Sequence, residues 1–441
     1  MSNFAHWPVC PTGDLFFVKG RIGWRNLRRS DFCEDGPYLI TGMHIDVTGR
    51  IDWNSCFRIP RKKFDESPEI QVKVGDLVIT KDGTIGKVAR IDWLPGDTSL
   101  NAHLFLVRPI QPEVCSAKFA FHIFTSAAFR DFIENQKSGS TLAGLGESKF
   151  VQFQFPLPTI KEQVLVSDVL DTLDTAIRET EALIDKLKAV KQGLLHDLLT
   201  RGINTNGQMR PPQSEAPHLY KESPLGWIPR EWECREFSVL AEYLNGNTFD
   251  AAEWTDSGFP IIRIQNLNGS RDFNYYAGAI HEKWHVHPGD LLFAWSGQRG
   301  VSFGARLWDG PEGVLNQHIF RVLPKVSLVS KIFLFRLLRF RQINIEDTAH
   351  GFKDSFLHVT RGELGSVNAG VPSLDEQERI ELRIAAYESK LLAEEAELGK
   401  LQRMKSGLMD DLLTGHVRVT PLLESVPVAP LDQQPVRQMG A

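Results

Sequence analysis

Little in this chain points to secretion, a membrane or catalysis. Its five cysteines, Cys10, Cys33, Cys56, Cys115 and Cys234, form no CxxC pair and no metal-ligand spacing. An odd, unpatterned set suits a reducing compartment better than a disulfide scaffold. No zinc site is expected among the thirteen histidines. No uncharged apolar stretch approaches the roughly 20 residues of a membrane-spanning helix. The opening MSNFAHWPVCPTGD has no basic segment followed by an apolar run, so no signal peptide is expected. The expected location is the cytoplasm.

Catalytic strings are missing too. GTIGK at 83–87 resembles the end of a phosphate-binding loop, but Lys81 replaces its first glycine and Val88 its hydroxyl residue. No GxGxxG follows a strand-like run, and no Asn-Pro-Pro or Asp-Pro-Pro string occurs. The nuclease-like triplet Glu147-Ser148-Lys149 recurs as Glu388-Ser389-Lys390 inside an evident helix, which marks it as chance. Positive charge is scarce for a stand-alone DNA binder, the net charge being −5. The acid excess sits mainly at 158–200 and 372–414, while 1–157 and 221–371 are near neutral. Local basic patches can still serve phosphates, with a partner supplying part of the affinity.

What the chain does have is a unit written twice. With 441 residues and 42% hydrophobic content it is expected to fold as two or three domains. Residues 158–200 align without a gap to 372–414 at a constant offset of 214. The offset also carries Gly75-Asp76-Leu77 onto Gly289-Asp290-Leu291, and Gly83 and Gly86 onto Gly297 and Gly300. Leu-Asn-Ala-His at 100–103 answers Leu-Asn-Gln-His at 315–318 with one residue inserted, and Trp7 is a candidate match for Trp232. A period this long means duplicated domains rather than a solenoid.

Each copy opens as a mixed α/β segment. Strand-like runs at 37–45, 76–80, 105–109, 260–264 and 290–294 are cut by Gly, Asp and Asn turns. Phe-rich helical patterns follow at 117–135 and 328–347. Each copy closes on a long amphipathic helix. Leu173, Ile177, Leu183, Leu187, Leu194 and Leu198 recur at helical spacing in the first. Ile384, Tyr387, Leu391, Leu398, Leu401, Leu408 and Leu412 do so in the second. Such stripes are expected to pair with each other as an antiparallel coiled coil, although each could instead pack on its own domain. Gly193 and Gly407 interrupt both helices at equivalent places and are expected to let them approach closely.

Several strings resemble the specificity subunits of type I restriction–modification systems. They are KGRIGWRNLRRSDF (19–32), GDLVITKDGTIGKV (75–88), LNAHLFLVRP (100–109), FPLPTIKEQ and VPSLDEQ at the helix junctions, SPLGWIPREWE (223–233), and the endings GLLHDLLT and GLMDDLLT. The resemblance covers nearly the whole chain. It implies target-recognition domains at 1–157 and 221–371, spacer helices at 158–200 and 372–414, a linker at 201–220 and a tail at 415–441. Each domain would read one half of a split DNA site, while the helices set the unread gap and dock two modification subunits. Those partners would carry S-adenosylmethionine and methylate adenine, and a motor–nuclease subunit would complete the enzyme. This chain itself would hold no cofactor. The SPLGWIP preamble stands only before the second domain, which leaves open the edge of the first and its contacts to the C-terminal end.

A duplex reader needs cations for phosphates and paired donors or acceptors for base edges. The candidates in the first domain are Lys19, Arg21 and Arg25 around Trp24, then Arg58 and Arg61, and then Lys81, Thr84 and Lys87 on the Gly83–Gly86 loop. In the second they are Arg263, Gln265 and Asn266, with Ser296, Gln298 and Arg299 on the equivalent loop. Solvated surface or a structural turn is the competing reading for each. The competing reading for the chain is a coiled-coil adaptor whose two domains bind proteins without reading DNA.

Overall fold

The computed structural model describes residues 7–20, 31–137, 144–349 and 357–419. They form two compact units, one drawn from residues 1–182 and 396–441 and the other from 183–395. No helix among the described residues is long and apolar enough to cross a membrane.

In the first unit all four residues of strand Leu77–Thr80 are buried. Leu77 and Ile79 enter a core with Phe105, Phe119, Phe124 and Phe129. Val78 enters another with Ile40, Ile45 and Leu100. This is the two-residue period of a strand with apolar partners on both faces. The strand belongs to an antiparallel sheet in the order Phe16–Gly20, Leu104–Pro109, Leu77–Thr80, Val88–Arg90. A smaller sheet orders Phe57–Arg58, Cys33–Ile40 and Thr98–Leu100, the last pair parallel.

The second unit repeats the frame. Its four-stranded sheet runs Ala241–Asn245, Ile319–Pro324, Leu291–Ala294, Gly304–Leu307. Leu291 and Phe293 face one core and Leu292 another. The smaller sheet orders Asn274–Tyr276, Phe259–Ile262, Gly313–Leu315 and His285–Val286, again with one parallel pair. The mixed α/β heads expected from the sequence are therefore present. Two strand-like runs end early. The first stops at Ile40, where Thr41 N donates to His44 Nδ1 at 3.1 Å and turns the chain. The other stops at Ile262, before a helical turn at Ile264–Leu267. The Phe-rich patterns each divide in two, as Ala117–Thr125 with Ala127–Lys137 and Lys331–Phe340 with Gln342–Thr348.

The long helices are Ile160–Thr200 and Leu374–Thr414, 41 residues each. A reciprocal cap starts the first. Thr159 N donates to Glu162 Oε2 at 3.1 Å, and Glu162 N to Thr159 Oγ1 at 3.4 Å. Next to each cap a buried glutamine ties helix to head. Gln163 Nε2 donates to Val114 O and its Oε1 accepts from Ser116 N. Gln377 makes the same pair of bonds to Leu328 O and Ser330 N.

Each unit pairs a portion of one helix with a portion of the other. In the first, Val166 and Leu170 share a core with Met409, Leu412 and Leu413, and Lys405 binds Asp174 at 2.5 Å. In the second, Leu198 and Leu199 share a core with Ile380 and Ile384. There Lys191 binds Glu388 at 2.9 Å and Lys188 binds Glu395 at 3.1 Å. Partner numbers fall as helix numbers rise, so the pairing is antiparallel. Two of these three ion pairs, Lys405–Asp174 and Lys191–Glu388, are one feature duplicated: Lys191 and Lys405 are 214 apart, as are Asp174 and Glu388.

Of the seam, Leu173, Leu187, Leu198, Ile384 and Leu412 are buried. Ile177, Leu194, Tyr387, Leu391, Leu398, Leu401 and Leu408 are partly covered. Leu183 is not in it. It is 37% exposed, while Ile184, one heptad beyond Ile177, is buried. The glycine expectation also fails. Gly193 and Gly407 are exposed, and a Cβ on either would touch nothing within 4 Å.

Segment 201–220, expected to be a tether, is built into the second unit, with Ile203, Arg210, Ala216 and Tyr220 buried. Arg210 Nη2 donates to Glu376 Oε2 at 3.0 Å. Glu376 Oε1 also accepts from Ile203 N at 2.9 Å and Trp232 Nε1 at 3.1 Å. The first unit holds a looser counterpart. Arg418 Nη2 donates to Glu162 Oε1 at 2.6 Å, and its guanidinium lies 4.8 Å from the Trp7 ring centroid. Trp7 thus stands beside the clasp as Trp232 does, but stacked against Arg418 where Trp232 hydrogen-bonds the glutamate, and the first head is closed by residues that follow the second helix. The remainder of the tail, 420–441, lies outside the described residues.

One polar junction joins head to helix in the first unit. Arg90 Nη1 donates to both Asp171 oxygens at 3.0 Å, and fully buried His122 places Nε2 2.9 Å from Oδ1. Burial pushes the Asp171 carboxyl up, but these hydrogen bonds outweigh it and hold the group well below the usual carboxylate range. A depressed folded-state pKa adds stability that is present above the unfolded value and lost as pH falls toward the folded one. Asp171→Asn is therefore expected to cost about 2 kcal/mol at pH 7. The gap to the native chain should narrow below about pH 4, read as urea midpoints at pH 7 and pH 3. An unchanged gap would contradict the assignment.

Candidate nucleic-acid interface

In both heads the ends of several strands meet at one edge. In the second head, Asn316 N donates to Ile262 O at 3.0 Å and Asn247 N to Leu315 O at 2.8 Å. Trp295 closes the end of Leu291–Ala294, its Nε1 donating to Gln317 O at 3.1 Å. Beyond it, Ser296–Gly297 pairs with Leu357–His358. The first head matches this in part, its Lys81 bond answering that of Trp295 N to His318 O. Asn101 N donates to Ile40 O, Lys81 N to His103 O, and Asp82 bridges to Gly144. The Gly83, Gly86 and Gly300 turns all have positive φ, which glycine adopts without strain.

Side chains at this edge divide into outward and inward groups. Thr84, Gln265 and Gln298 are exposed. Arg61 is exposed too but stands at the opposite end of the smaller sheet, where it pairs with Asp65 at 3.2 Å and with Asp97, just before Thr98–Leu100. Lys81 binds Asp82 at 2.9 Å, and Asp82 also meets His103 Nδ1 at 3.2 Å. Lys19 is half-buried in Phe16–Gly20. Arg21 and Arg25 lie outside the described residues.

Four expected candidates are occupied within the fold. Lys87 Nζ donates to Ile45 O at 2.7 Å and Gly42 O at 3.3 Å, bracing a turn. Arg58 donates to Gly36 O at 3.0 Å and Tyr38 OH at 2.7 Å. Asn266 is 2% exposed. It accepts from Arg263 N and donates to Ser270 O and Asp272 O. Ser296 is equally buried, inside its short strand.

Arg263 and Arg299 have a different geometry. The Arg263 guanidinium lies 4.3 Å from the Trp254 ring centroid. Arg299 is half exposed, with Nε 3.2 Å from Glu346 Oε2. Glu346 is 7% exposed, and its Oε1 accepts from Gln342 Nε2 at 2.9 Å. A guanidinium anchored through Nε keeps the two-pronged edge that suits guanine or phosphate. Sequence reading missed Glu346 and Trp254, and no spacing could have placed the one beside Arg299 and the other beside Arg263. At the same edge, burial and then the neighbouring His358 imidazole push His318 down.

Two sequence expectations about chemistry are sharpened. The five cysteines are free thiols, and burial pushes Cys56 and Cys115 up to about 12, away from nucleophilic use. The histidine expectation needs correction. HEKWHVH at 281–287 does contain the HExxH spacing. That motif needs a helix to align its histidines. Here the segment is a short 3-10 turn, Glu282–Trp284, followed by strand His285–Val286.

A duplicated frame with conserved turns, differing tips and two antiparallel helix pairings defines a two-headed recognition protein. The chain belongs to the type I restriction modification DNA specificity domain family, whose model matches residues 6–189 and 229–403. Its role is that of a DNA specificity subunit. It is 22% identical over 315 residues to the type I restriction enzyme MjaVIII specificity subunit of Methanocaldococcus jannaschii, covering 68% of this chain and 71% of that one. To the putative MjaX specificity subunit of the same organism it is 21% identical, covering 87% and 88%. The fold is similar to the type I S subunit from M. genitalium, with a TM-score of 0.53 at 15% identity, covering 94% and 97%.

Proposed function

We propose that each head reads one half of a split duplex site, and that the paired helices fix the gap between halves. The observation that carries this reading is the matched edge of the two heads. Backbone turns and strand ends coincide, while Lys81, Asp82 and Thr84 stand where the second head has Trp295, Ser296 and Gln298. One scaffold with unlike tips suits two unlike half-sites. The chain is non-catalytic and holds no cofactor of its own. Two modification subunits dock on the helices, bring S-adenosylmethionine and methylate adenine. A motor–nuclease subunit completes the assembly, in the cytoplasm.

The test is binding by the chain reconstituted with its modification subunits, across a library of split duplexes at two salt concentrations. One split sequence is expected to dominate. Equal binding to every duplex would favour the protein-adaptor reading instead. Arg299→Ala is expected to weaken one half-site roughly 10- to 100-fold, in line with about 1–3 kcal/mol for a bidentate base contact. Glu346→Gln should shift the same half-site in the same direction. A uniform loss on all sequences would reassign Arg299 to a phosphate.

A further inference from the structure

Strand His285–Val286 lies antiparallel to Gly313–Leu315, with His285 opposite Val314 and Val286 opposite Gly313. That register sets His287 across from Glu312. Residues two apart on a strand share a face, so His285 and His287 project together toward the glutamate. Side-chain positions agree. His285 Nε2 is 2.7 Å from Glu312 Oε1, and His287 Nδ1 is 3.6 Å from the same oxygen. All three ligand atoms lie within 4.8 Å of one another.

Two observations distinguish this from an ordinary ion pair. One carboxylate oxygen faces two imidazole nitrogens. In addition, His285 Nε2 is buried and has no aligned hydrogen bond, although the oxygen is close. A nitrogen near an oxygen but not aimed at it is the arrangement of two ligands converging on a third centre. Bonds of about 2.0–2.2 Å in a tetrahedron put neighbouring ligand atoms about 3.3 Å apart, between the two separations seen.

We infer that His285, His287 and Glu312 form a transition-metal site on the second head, taking a borderline divalent ion such as Zn²⁺ or Co²⁺. Two imidazoles and one carboxylate select such ions over Mg²⁺ or Ca²⁺, which prefer all-oxygen shells. Three protein ligands leave a fourth position for water. The ion fastens the edge strand to the strand beside Phe259–Ile262, and so steadies the segment leading to Arg263. The first head has no equivalent, since Gln71, Lys73 and Asp97 hold the matching positions and Asp97 is paired with Arg61. The site does not depend on the DNA-reading proposal.

The test uses the full chain without affinity-tag histidines, stripped with chelator and titrated with Co²⁺, then with Zn²⁺ in competition. One equivalent of Co²⁺ is expected, with the visible absorption of a four- or five-coordinate ion, displaced by Zn²⁺. His287→Ala and Glu312→Gln should each abolish that signal, while His416→Ala, at an exposed histidine of the other unit, should keep it. Zn²⁺ should raise the melting temperature of the native chain and not that of His287→Ala. Weak binding at several sites, or a signal unchanged in both site variants, would reduce the cluster to a histidine–glutamate pair. Circular dichroism of each variant separates a lost ligand from a lost fold.

Discussion

Glu376→Ala is expected to destabilise the second unit by about 3 kcal/mol, the cost of leaving a buried charge without its buried partner. The carboxylate is 3% exposed as a residue and receives Arg210, the Trp232 indole N–H and the Ile203 amide together. Removing it leaves the buried guanidinium with only the exposed Glu231 carboxylate and the Arg201 carbonyl, and it strands the indole and Ile203 donors. Glu162→Ala in the first unit should cost less, because Arg418 is partly exposed and water can reach it. Urea unfolding followed by hydrogen exchange at Ile203 and Trp232 measures the difference. Equal costs for the two variants would mean that the tighter clasp contributes nothing beyond the exposed one.

Lengthening both long helices by seven residues, after Ala182 and after Glu395, is expected to widen the recognised gap while leaving both half-sequences unchanged. Seven residues add about 10 Å of axial rise, close to three base pairs at ~3.4 Å each. Whole heptads keep each buried stripe on its face, so Lys405–Asp174 and Lys191–Glu388 survive on their own sides of the insertions. Lengthening only one helix makes the two connections unequal and is expected to abolish binding. Mapping methylated adenines in a host carrying each variant gives gap and half-sites in one measurement. Altered half-sites with the old gap would contradict the proposal that the helices fix the gap.

The duplication and the helices were legible because a constant offset and a repeating apolar stripe survive in a single sequence. Trp7 and Trp232 lie 225 apart, off that offset, so their match was legible only as a candidate. Side-chain direction was not. Lys87 and Arg58 look like phosphate cations in a string, yet carbonyls and the Tyr38 hydroxyl, brought close by the fold, engage them. Asn266 reads as a base-reading amide until its turn is seen to need every one of its bonds. The linker composition at 201–220 hid the partner of Arg210, which lies 166 residues further on. Gly193 and Gly407 failed because helical position, not residue size, decided that they face water.

The last closing residues of the first unit have a consequence for synthesis. Residues 183–395 supply the second unit from one continuous stretch, whereas the first draws on 396–419 to seal Trp7 and Glu162. The head translated first is therefore finished last. At ~5–20 residues per second the ribosome needs some tens of seconds to deliver Arg418 after Ala182. During that interval the N-terminal half waits without the Met409, Leu412 and Leu413 share of the core around Val166 and Leu170, an apolar gap of the kind chaperones bind.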